Sequence, residues 1–243
     1  MSYCIIIPNY NHTIGLSELI ERLGRYSLPI YMVNDGSNES TTCLLRELAD
    51  SFSYLTVLEH KENQGKGGAV QTGLKEAYAR GHSHALQIDA DGQHDLSDVD
   101  TFLTESKHNP EVLISGKPIY NESVPKHRYY ARGITHFWVW IETLSFSIKD
   151  TMCGYRVYPL APTISLLNRS SLGKRMDFDI EVMVRLYWDK LEFKFIPTKV
   201  DYPEHGTSHF KAFRDNVLIS WMHTKLVFGM LLRLPKLIIR KLR

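Results

Sequence analysis

Short apolar runs alternate with helical segments through the first third of the chain, and this alternation restricts the possible folds more than any other feature. The runs are residues 3–7, 30–33, 55–58 and 85–88. They are rich in Ile, Val and Leu without polar alternation, as is typical of strands that are buried on both faces of a sheet. Helical spacing between the runs predicts crossover helices and parallel strands. We therefore expect an α/β fold with a single, mostly parallel sheet flanked by helices and a Rossmann-like first half.

The fourth run is followed directly by Asp89, Asp91 and Gln93. In an open α/β sheet, ligands bind beyond the carboxyl ends of the strands. Two carboxylates and an amide oxygen suit Mg²⁺ or Mn²⁺, which prefer oxygen ligands and can bridge to substrate phosphates. The pattern predicts a metal site at this strand end, and the alternative is a turn rich in Asp and Gly that only ends the strand.

The ends of the first two runs carry further polar groups. Pro8, Tyr10 and Asn11 follow the first strand and should face the same crevice. Asp35 lies in a tight turn after the second strand, where its carboxylate could accept a hydrogen bond from a nucleobase or a ribose, or could serve the turn alone.

The third predicted helix begins with a glycine-rich stretch, residues 65–68, that includes Lys66. The stretch is too short for a Walker loop. Main-chain N–H groups and a lysine near a helix N-terminus favour anions. The alternative is a glycine-rich entry to a closely packed helix.

A long helix is predicted for residues 126–148, with Arg128, Arg132 and His136 on one face. Such a face beside a diphosphate site could bind an acceptor phosphate or the leaving group. The alternative is a solvated basic face with the aromatic residues in the core.

Composition excludes several classes of protein. The 243 residues carry 29 basic and 27 acidic side chains, a formal net charge of +2, which argues against a dedicated nucleic-acid binder. Cys4, Cys43 and Cys153 are too far apart for a zinc site and are expected to be free thiols in a reducing compartment. No uninterrupted apolar run reaches the length of a spanning helix, and no signal peptide is expected.

The last residues form a basic amphipathic tail. No acidic residue follows Asp215, whereas cations alternate with apolar residues to the end of the chain; these cations are Lys225, Arg233, Lys236, Arg240, Lys241 and Arg243. This pattern predicts binding to an anionic membrane surface. We therefore divide the chain into a domain of residues 1–215 and a tail of residues 216–243, and the alternative is a C-terminal helix packed on the core.

Four motifs in register identify a family resemblance. The ordered set IIPNYNH, VNDGS, NQGKGGAVQTGL and QIDADGQHD resembles the inverting family 2 glycosyltransferases with the GT-A fold. The Asp-Ala-Asp-x-Gln-His form is especially similar to the dolichyl- or polyprenyl-phosphate mannose and glucose synthases. The segment from Asp150 to Arg156 resembles the family's Asp-x-x-x-Gly-Phe-Arg sequence, and the helix that carries Asp179 and Glu181 resembles its acceptor helix.

The resemblance implies roles for individual residues. Those expected to hold the nucleotide sugar are Pro8, Tyr10, Asn11, Asp35, Lys66, Asp89 and Ala90. Those expected to hold the metal and the diphosphate are Asp89, Asp91 and Gln93. The expected catalytic residues are Asp91 and Asp150, the latter as a base if the acceptor is a hydroxyl, and the expected acceptor-phosphate residues are Arg128, Arg132 and Arg156.

The loop of residues 202–215 departs from the family's Arg-x-x-Gly-x-Ser-Lys pattern. Glu204 and His205 stand near the expected arginine, and His209 replaces the lysine. Lys211 or Arg214 can substitute for these missing cations.

We therefore predict a metal-dependent glycosyltransferase on the cytoplasmic, inner face of the membrane. It would move a sugar from a UDP- or GDP-sugar to a lipid-linked or other amphipathic acceptor. Two other classes stay open at this point. A nucleotidyltransferase would need a Gly-rich loop with cations after the first strand, which residues 8–12 lack, and a non-catalytic membrane-surface protein would not need the acidic cluster.

Overall fold

The computed structural model describes residues 1–119, 126–200 and 211–241, with the main chain alone for residues 126–131, 212 and 241. The strands are β1 (Tyr3–Asn9), β2 (Ile30–Asn34), β3 (Leu55–Glu59), β4 (His84–Gln87), β5 (Val112–Ile119), β6 (Arg156–Pro159) and β7 (Glu192–Lys199). The helices are α1 (Leu16–Gly24), α2 (Glu39–Ser51), α3 (Lys66–Ala79), α4 (Val99–His108), α5 (Lys126–Thr143), α6 (Leu160–Arg169), α7 (Phe178–Trp188) and α8 (Ala212–Lys241), with a short 3₁₀ helix (Leu96–Asp98) before α4.

The strands form one sheet in the order β3-β2-β1-β4-β6-β5-β7. The pairs of β1 with β2, β1 with β4, β2 with β3 and β5 with β7 are parallel. β6 is antiparallel to both of its neighbours, β4 and β5. The predicted single, mostly parallel sheet with flanking helices is confirmed.

The first half of the sheet is covered on both faces. Cys4 and Ile6 of β1 enter one hydrophobic cluster, and Ile5 and Ile7 enter a second cluster on the opposite face. Burying each of these aliphatic side chains contributes about 1.5–3 kcal/mol. Helix α3 approaches β1 closely at Gly73, where an added Cβ would lie 2.5 Å from Ile6 Cγ2. The apolar runs of the sequence therefore reflect a strand that faces two cores.

The second half contains elements that the sequence did not predict. β6 and α6 fall between Asp150 and the predicted helix that carries Asp179 and Glu181. β6 has four residues and begins with Arg156, which is fully buried. A charged residue in so short a strand obscures the apolar pattern on which strand prediction depends.

The predicted helix of residues 126–148 is too long, because α5 ends at Thr143. Leu144 adopts a left-handed conformation with φ of 50°. The Leu144 N–H donates to the Ile141 carbonyl, and the Ser145 N–H donates to the Trp140 carbonyl, each at 3.2 Å. This is a Schellman termination, which usually carries glycine at the left-handed position. Leucine in that position gave no sequence signal for the helix end.

The basic tail is part of a longer packed helix, α8, which begins before the predicted boundary at residue 216. Met222, Leu226, Met230 and Leu237 lie in the core cluster. Two of the tail's cations also contact the domain. The Arg233 guanidinium lies 4.6 Å from the centroid of the Trp188 ring, and that of Arg240 lies 4.4 Å from the Tyr187 ring. The predicted division of the chain thus falls inside one helix, one side of which packs on the domain.

Helix α8 is also the one candidate for a membrane span within the described ranges. By length and composition alone, Phe213–Arg240 is long and apolar enough to cross a membrane. The prediction from uninterrupted apolar runs did not foresee this, because a spanning helix tolerates isolated cations.

Candidate active site

The predicted crevice lies beyond the carboxyl ends of β2, β1 and β4, which are neighbours in the sheet. Asn9 ends β1 and pairs in register with Asn34, which ends β2. β4 ends at Gln87, two residues before Asp89. Since parallel neighbours run in the same direction, the polar turns of three separate motifs meet at one edge of the sheet.

The turn after β1 is bonded to the turn after β2. The Asn11 main-chain N–H donates to Ser37 Oγ at 2.9 Å, and Asn11 Oδ1 accepts from the Asn38 N–H at 2.8 Å. Asn11 has a left-handed φ of 50°, which asparagine tolerates better than most residues. Pro8 and Tyr10 are half-buried beside it. These residues border the crevice as predicted, and their contact with a nucleoside stays a prediction.

Asp35 is 2% exposed and holds together the loop that leads into α3. Its Oδ1 accepts from His60 Nδ1 at 2.8 Å and from the Gln64 N–H at 2.9 Å. Its Oδ2 accepts from Asn63 Nδ2 at 3.0 Å and from the Gly65 N–H at 2.8 Å. A carboxylate has about four acceptor positions, so these donors occupy them. We expected a direct bond from Asp35 to the nucleoside, but such a bond would have to displace one of these donors.

The glycine-rich start of α3 is covered by the segment between α6 and α7. The Gly65 N–H is bonded to Asp35, and the Gly68 N–H donates to the Lys174 carbonyl at 2.8 Å. A Cβ at Gly67 would lie 2.3 Å from the Cβ of Phe178. The glycines therefore permit close packing, as the alternative interpretation held. The N–H groups of Gly65 and Gly68 are already bonded, which argues against the predicted main-chain anion site.

Lys66 lies between two carboxylates from distant parts of the chain. Its Nζ is 2.8 Å from Asp89 Oδ2 and 3.2 Å from Asp179 Oδ2. Burial alone would lower the pKa of Lys66, but the charges of Asp179 and Asp89 outweigh burial and raise the pKa above its ordinary value. Lys66 is therefore a permanent cation at the crevice. Asp179, for which the sequence left a chemical or a helix-dipole role open, belongs to this cluster.

Asp89 and Asp91 have pKa values shifted in opposite directions. Burial alone would raise the pKa of Asp89, but Lys66 and His94 outweigh burial and lower the pKa well below its usual range. Asp91 is exposed as a whole residue, but partial desolvation of its carboxyl group and the charge of Asp89 raise its pKa. The region near Asp91 therefore carries more negative charge than its neighbours neutralise.

The predicted metal ligands fit a hard divalent cation. Within the described part of the chain, no three His, Cys, Asp or Glu side chains lie together as a metal site, so the fit depends on the amide oxygen of Gln93 beside the two aspartates, and these three ligands stay a prediction. Three carboxylates, those of Asp89, Asp91 and Asp179, lie near two fixed cations, Lys66 and Arg156, the latter 3.6 Å from Asp179 Oδ1. Excess negative charge and oxygen donors are what Mg²⁺ and Mn²⁺ require.

Two residues that the sequence analysis did not single out lie against Asp89. His94 is 8% exposed, and its Nε2 lies 3.6 Å from Asp89 Oδ2, while its ring centroid is 4.9 Å from that of Tyr155. An added Cβ at Gly154 would lie 2.4 Å from Asp89 Oδ2. Both residues belong to motifs quoted from the sequence, but only the fold shows that the two motifs meet.

Asp150 is buried and is held by two side chains of α5. Arg132 Nε donates to Oδ2 at 2.7 Å and Nη2 donates to Oδ1 at 3.3 Å, while His136 Nε2 lies 3.5 Å from Oδ2. The N–H groups of Met152 and Cys153 also donate to Oδ1. Burial alone would raise the pKa of Asp150, but His136 and Arg132 hold it well below its usual range. A carboxylate with so low a pKa is a weak general base.

Arg156, predicted to bind the acceptor phosphate, is fully buried. Its Nη1 donates to the Asp179 carbonyl at 2.9 Å, and its Nη2 donates to the Thr151 carbonyl at 2.6 Å. It therefore joins the segment after Asp150 to the first turn of α7. A direct contact with phosphate stays a prediction that this burial does not favour.

One predicted acceptor residue, Arg128, has its side chain outside the described part of the chain. The loop residues at which the sequence departs from the family pattern, Glu204, His205 and His209, also lie outside it. The two predicted substitute cations, Lys211 and Arg214, are exposed at the start of α8.

The chain is similar in sequence to known transferases. The profile described as Glycosyl transferase family 2 matches residues 4–176. A dolichyl-phosphate beta-glucosyltransferase, ALG5D, of Trichomonas vaginalis is 31% identical over 199 residues, which cover 74% of this chain and 59% of that protein. The UDP-N-acetylglucosamine–dolichyl-phosphate N-acetylglucosaminyltransferase of Methanococcus voltae is 24% identical over 218 residues, 83% of this chain and 86% of the relative. The chain thus spans less than two thirds of the first relative and most of the second.

The fold is similar to that of solved glycosyltransferases. The mannosyltransferase PcManGT from Pyrobaculum calidifontis, solved with GDP-mannose and Mn²⁺, aligns with a TM-score of 0.60 at 15% identity and covers 95% of this chain and 64% of its own. At that identity the likeness concerns the fold alone. The predicted GT-A fold is confirmed, and so is the family resemblance that the four motifs indicated.

Proposed function

The chain belongs to glycosyl transferase family 2, and from that premise we propose that it moves a sugar from a UDP- or GDP-sugar to the phosphate of a polyprenyl or dolichyl lipid. The transfer would invert the anomeric carbon. The printed names of the relatives from T. vaginalis and M. voltae, both of which include dolichyl-phosphate, support this acceptor class.

The ion pair and the lowered pKa of Asp150 are the main support for a phosphate acceptor. A hydroxyl acceptor needs a general base, whereas a phosphate already arrives as an anion. Asp150 is paired with Arg132 and has a lowered pKa, and Asp89 and Asp179 are both paired with Lys66. These three carboxylates are therefore poorly suited to remove a proton, and Asp91, whose pKa is raised, would be occupied in holding the metal. An acceptor that needs no deprotonation fits them better.

The donor side would be held by the first-half motifs. Asp89, Asp91 and Gln93 would hold Mg²⁺ or Mn²⁺, and the ion would neutralise charge on the departing diphosphate. Lys66 places a fixed positive charge at the same strand end, where negative charge develops during transfer. The nucleoside would lie against Pro8, Tyr10, Asn11 and Ala90, with the loop held in shape by Asp35.

The transfer step itself needs no proton movement. An oxygen of the acceptor phosphate would form the new bond to the anomeric carbon, while the bond from that carbon to the diphosphate breaks on the opposite side. Arg132 and His136 on α5 would attract the acceptor phosphate, and Asp150 would fix their orientation. Because the acceptor would be a lipid, we also propose that the protein works at a membrane, as a peripheral protein on its cytoplasmic face.

A pair of matched acceptors tests this function. Purified protein with Mn²⁺ and a panel of labelled UDP- and GDP-sugars should glycosylate a short-chain polyprenyl phosphate and should leave the corresponding polyprenol unmodified. Product is measured by extraction of label into the organic phase. Transfer to the polyprenol at a comparable rate would show that a general base operates, and the phosphate assignment would be wrong.

A further inference from the structure

One of the predicted metal ligands already shares an oxygen with a cation. Lys66 Nζ lies 2.8 Å from Asp89 Oδ2, and Gln87 Nε2 lies 3.5 Å from Asp89 Oδ1. A divalent ion that binds this carboxylate would meet the fixed positive charge of Lys66 on it. Like charges on one carboxylate repel each other strongly where water is partly excluded. Lys66 and a divalent ion would therefore compete for Asp89.

Asp179, in the first turn of α7, offers Lys66 a second partner. Asp179 Oδ2 lies 3.2 Å from Lys66 Nζ, and the residue is 5% exposed. Asp179 Oδ1 lies 3.6 Å from Arg156 Nη1 and accepts no hydrogen bond from the residues that the structure describes. A buried acceptor without a donor is unfavourable, and the lysine ammonium group has three donors. Asp179 can therefore accept Lys66 more fully than it does.

The exchange between the two carboxylates needs only a side-chain movement. The main chain at the start of α3 is fixed, because the Gly65 N–H is bonded to Asp35 and Gly67 packs closely against Phe178. The lysine side chain is a flexible four-carbon stem. Its Nζ lies within 3.2 Å of both carboxylates, so Lys66 can pass from one to the other without a change in the fold.

We propose that Lys66 occupies Asp89 until a divalent cation binds there, and that Asp179 then takes over Lys66. Asp179 is thus a positioning residue, which acts on the metal ligand through Lys66. The inference deepens the proposed function and rests on it for the metal at this strand end. The exchange protects the crevice from the repulsion between Asp89 and Asp91, and it makes the affinity for the metal depend on a residue that is not a ligand.

A simpler account makes Lys66 and Asp179 act only through their charges. Removal of a positive charge strengthens the binding of a cation, and removal of a negative charge weakens it, wherever the charge lies nearby. The two accounts differ in one respect. Under the exchange, the effect of Asp179 on the metal requires Lys66, whereas two independent charges give additive effects.

Binding of Mn²⁺ without nucleotide or acceptor, measured from the electron paramagnetic resonance signal of free Mn²⁺, tests the exchange. Lys66→Met removes the competing ammonium group and should tighten Mn²⁺ binding by about 10-fold, within the usual range of coupling between sites. Asp179→Asn holds Lys66 on Asp89 and should weaken Mn²⁺ binding by about 5-fold. In the Lys66→Met background, Asp179→Asn should leave Mn²⁺ binding unchanged.

Two matched controls remove a charge near these residues without touching the exchange. Lys174→Met removes an ammonium group that donates to Gln64 Oε1 at 3.0 Å, an amide rather than a carboxylate. Asp177→Asn removes a buried carboxylate two residues before Asp179, which accepts from the Arg175 N–H at 3.1 Å. Both variants should bind Mn²⁺ as the native protein does.

Several outcomes overturn the inference. Equal weakening by Asp179→Asn with and without Lys66 would mean that Asp179 acts through its own charge. Weaker Mn²⁺ binding by Lys66→Met, an unchanged affinity of Asp179→Asn, or no binding by any variant would also contradict the exchange. If Lys66→Met does not fold, equal effects of Asp179→Asn and Asp177→Asn overturn it.

Transfer to the short-chain polyprenyl phosphate by the native protein is measured separately. Transfer together with additive effects on Mn²⁺ binding would refute the exchange alone. The expected Mn²⁺ affinities without transfer would refute the proposed acceptor alone.

Discussion

The donor side and the acceptor side of the crevice are built in different ways. On the donor side, the polar side chains lie in turns at the ends of adjacent parallel strands. Each of these side chains is therefore within a few residues of a strand. The acceptor side depends on pairs between separate helices and loops, such as Arg132 with Asp150 and His223 with Glu142. The comparison teaches that the first half of the site follows from local sequence, whereas the second half follows from long-range pairing of buried charges.

The largest expected effect is a difference in unfolding free energy between variants of two arginine–carboxylate pairs that have similar geometry. Arg132→Ala should cost about 3–5 kcal/mol of unfolding free energy, because it leaves the buried Asp150 without its cation. Arg46→Ala breaks the solvent-exposed bond to Glu59 on the donor side and should cost much less, because water screens this pair. Urea unfolding of both variants measures the difference.

The same pair gives a pH dependence. The pKa of Asp150 is lowered in the folded protein, so its stabilising contribution is present above the ordinary carboxylate pKa and is lost as the pH falls toward the lowered folded value. The stability gap between the native protein and Arg132→Ala should therefore narrow in acid. Equal costs for Arg132→Ala and Arg46→Ala at neutral pH would show that the two sides of the molecule do not differ in this way.

A smaller effect should distinguish the two aspartates of the donor side. Asp89→Asn and Asp91→Asn should both reduce transfer by more than about 100-fold if both residues hold the metal, since even residues behind metal ligands cost 10–100-fold. Without metal, Asp89→Asn should destabilise the protein by about 1–3 kcal/mol, because Lys66 loses a partner. Asp91→Asn should stabilise it slightly, because the raised pKa of Asp91 shows that its charge is unfavourable.

Thermal unfolding in a metal chelator measures these changes at neutral pH. The matched control is Asp95→Asn, which removes a carboxylate that accepts from Ser97 rather than one near Lys66. Its transfer activity should be retained. If Asp89→Asn and Asp91→Asn shift the unfolding temperature in the same direction, the opposite electrostatic environments assigned to them are wrong.

The smallest effect concerns two cations of α8. Arg233→Ala removes a cation that lies over the Trp188 ring and should lower stability by about 0.5–1 kcal/mol. Lys236→Ala removes an exposed cation and should leave stability unchanged while weakening binding to anionic vesicles by about 1 kcal/mol. Unfolding and vesicle co-sedimentation of both variants are the measurements. If both variants show the same stability and the same vesicle binding, the cations of α8 do not differ in role. Arg233 would then not serve packing on the domain, nor Lys236 membrane binding, in the way we expect.

The sequence predicted the donor half well because its signals are local. The runs of β1 to β4, the crossover helices between them and the acidic strand end all appear within short windows of the chain. It failed where tertiary contacts decide the structure. The termination of α5 at Leu144 lacks the usual glycine, and β6 is a short strand that begins with a buried arginine. The sequence pattern could not distinguish a side of α8 that packs on the domain from a face that binds a membrane, because both require apolar residues at helical spacing.

The start of α3 forms hydrogen bonds to residues that the ribosome adds much later. The Gly68 N–H donates to the Lys174 carbonyl, and Gln71 Nε2 donates to the Gly173 carbonyl at 2.9 Å. β6 likewise fills the place beside β4 that β5 would otherwise take. During synthesis, the first half of the chain therefore leaves the ribosome before the residues that complete these hydrogen bonds exist. The order of translation therefore delays these hydrogen bonds until the segment before α7 has emerged.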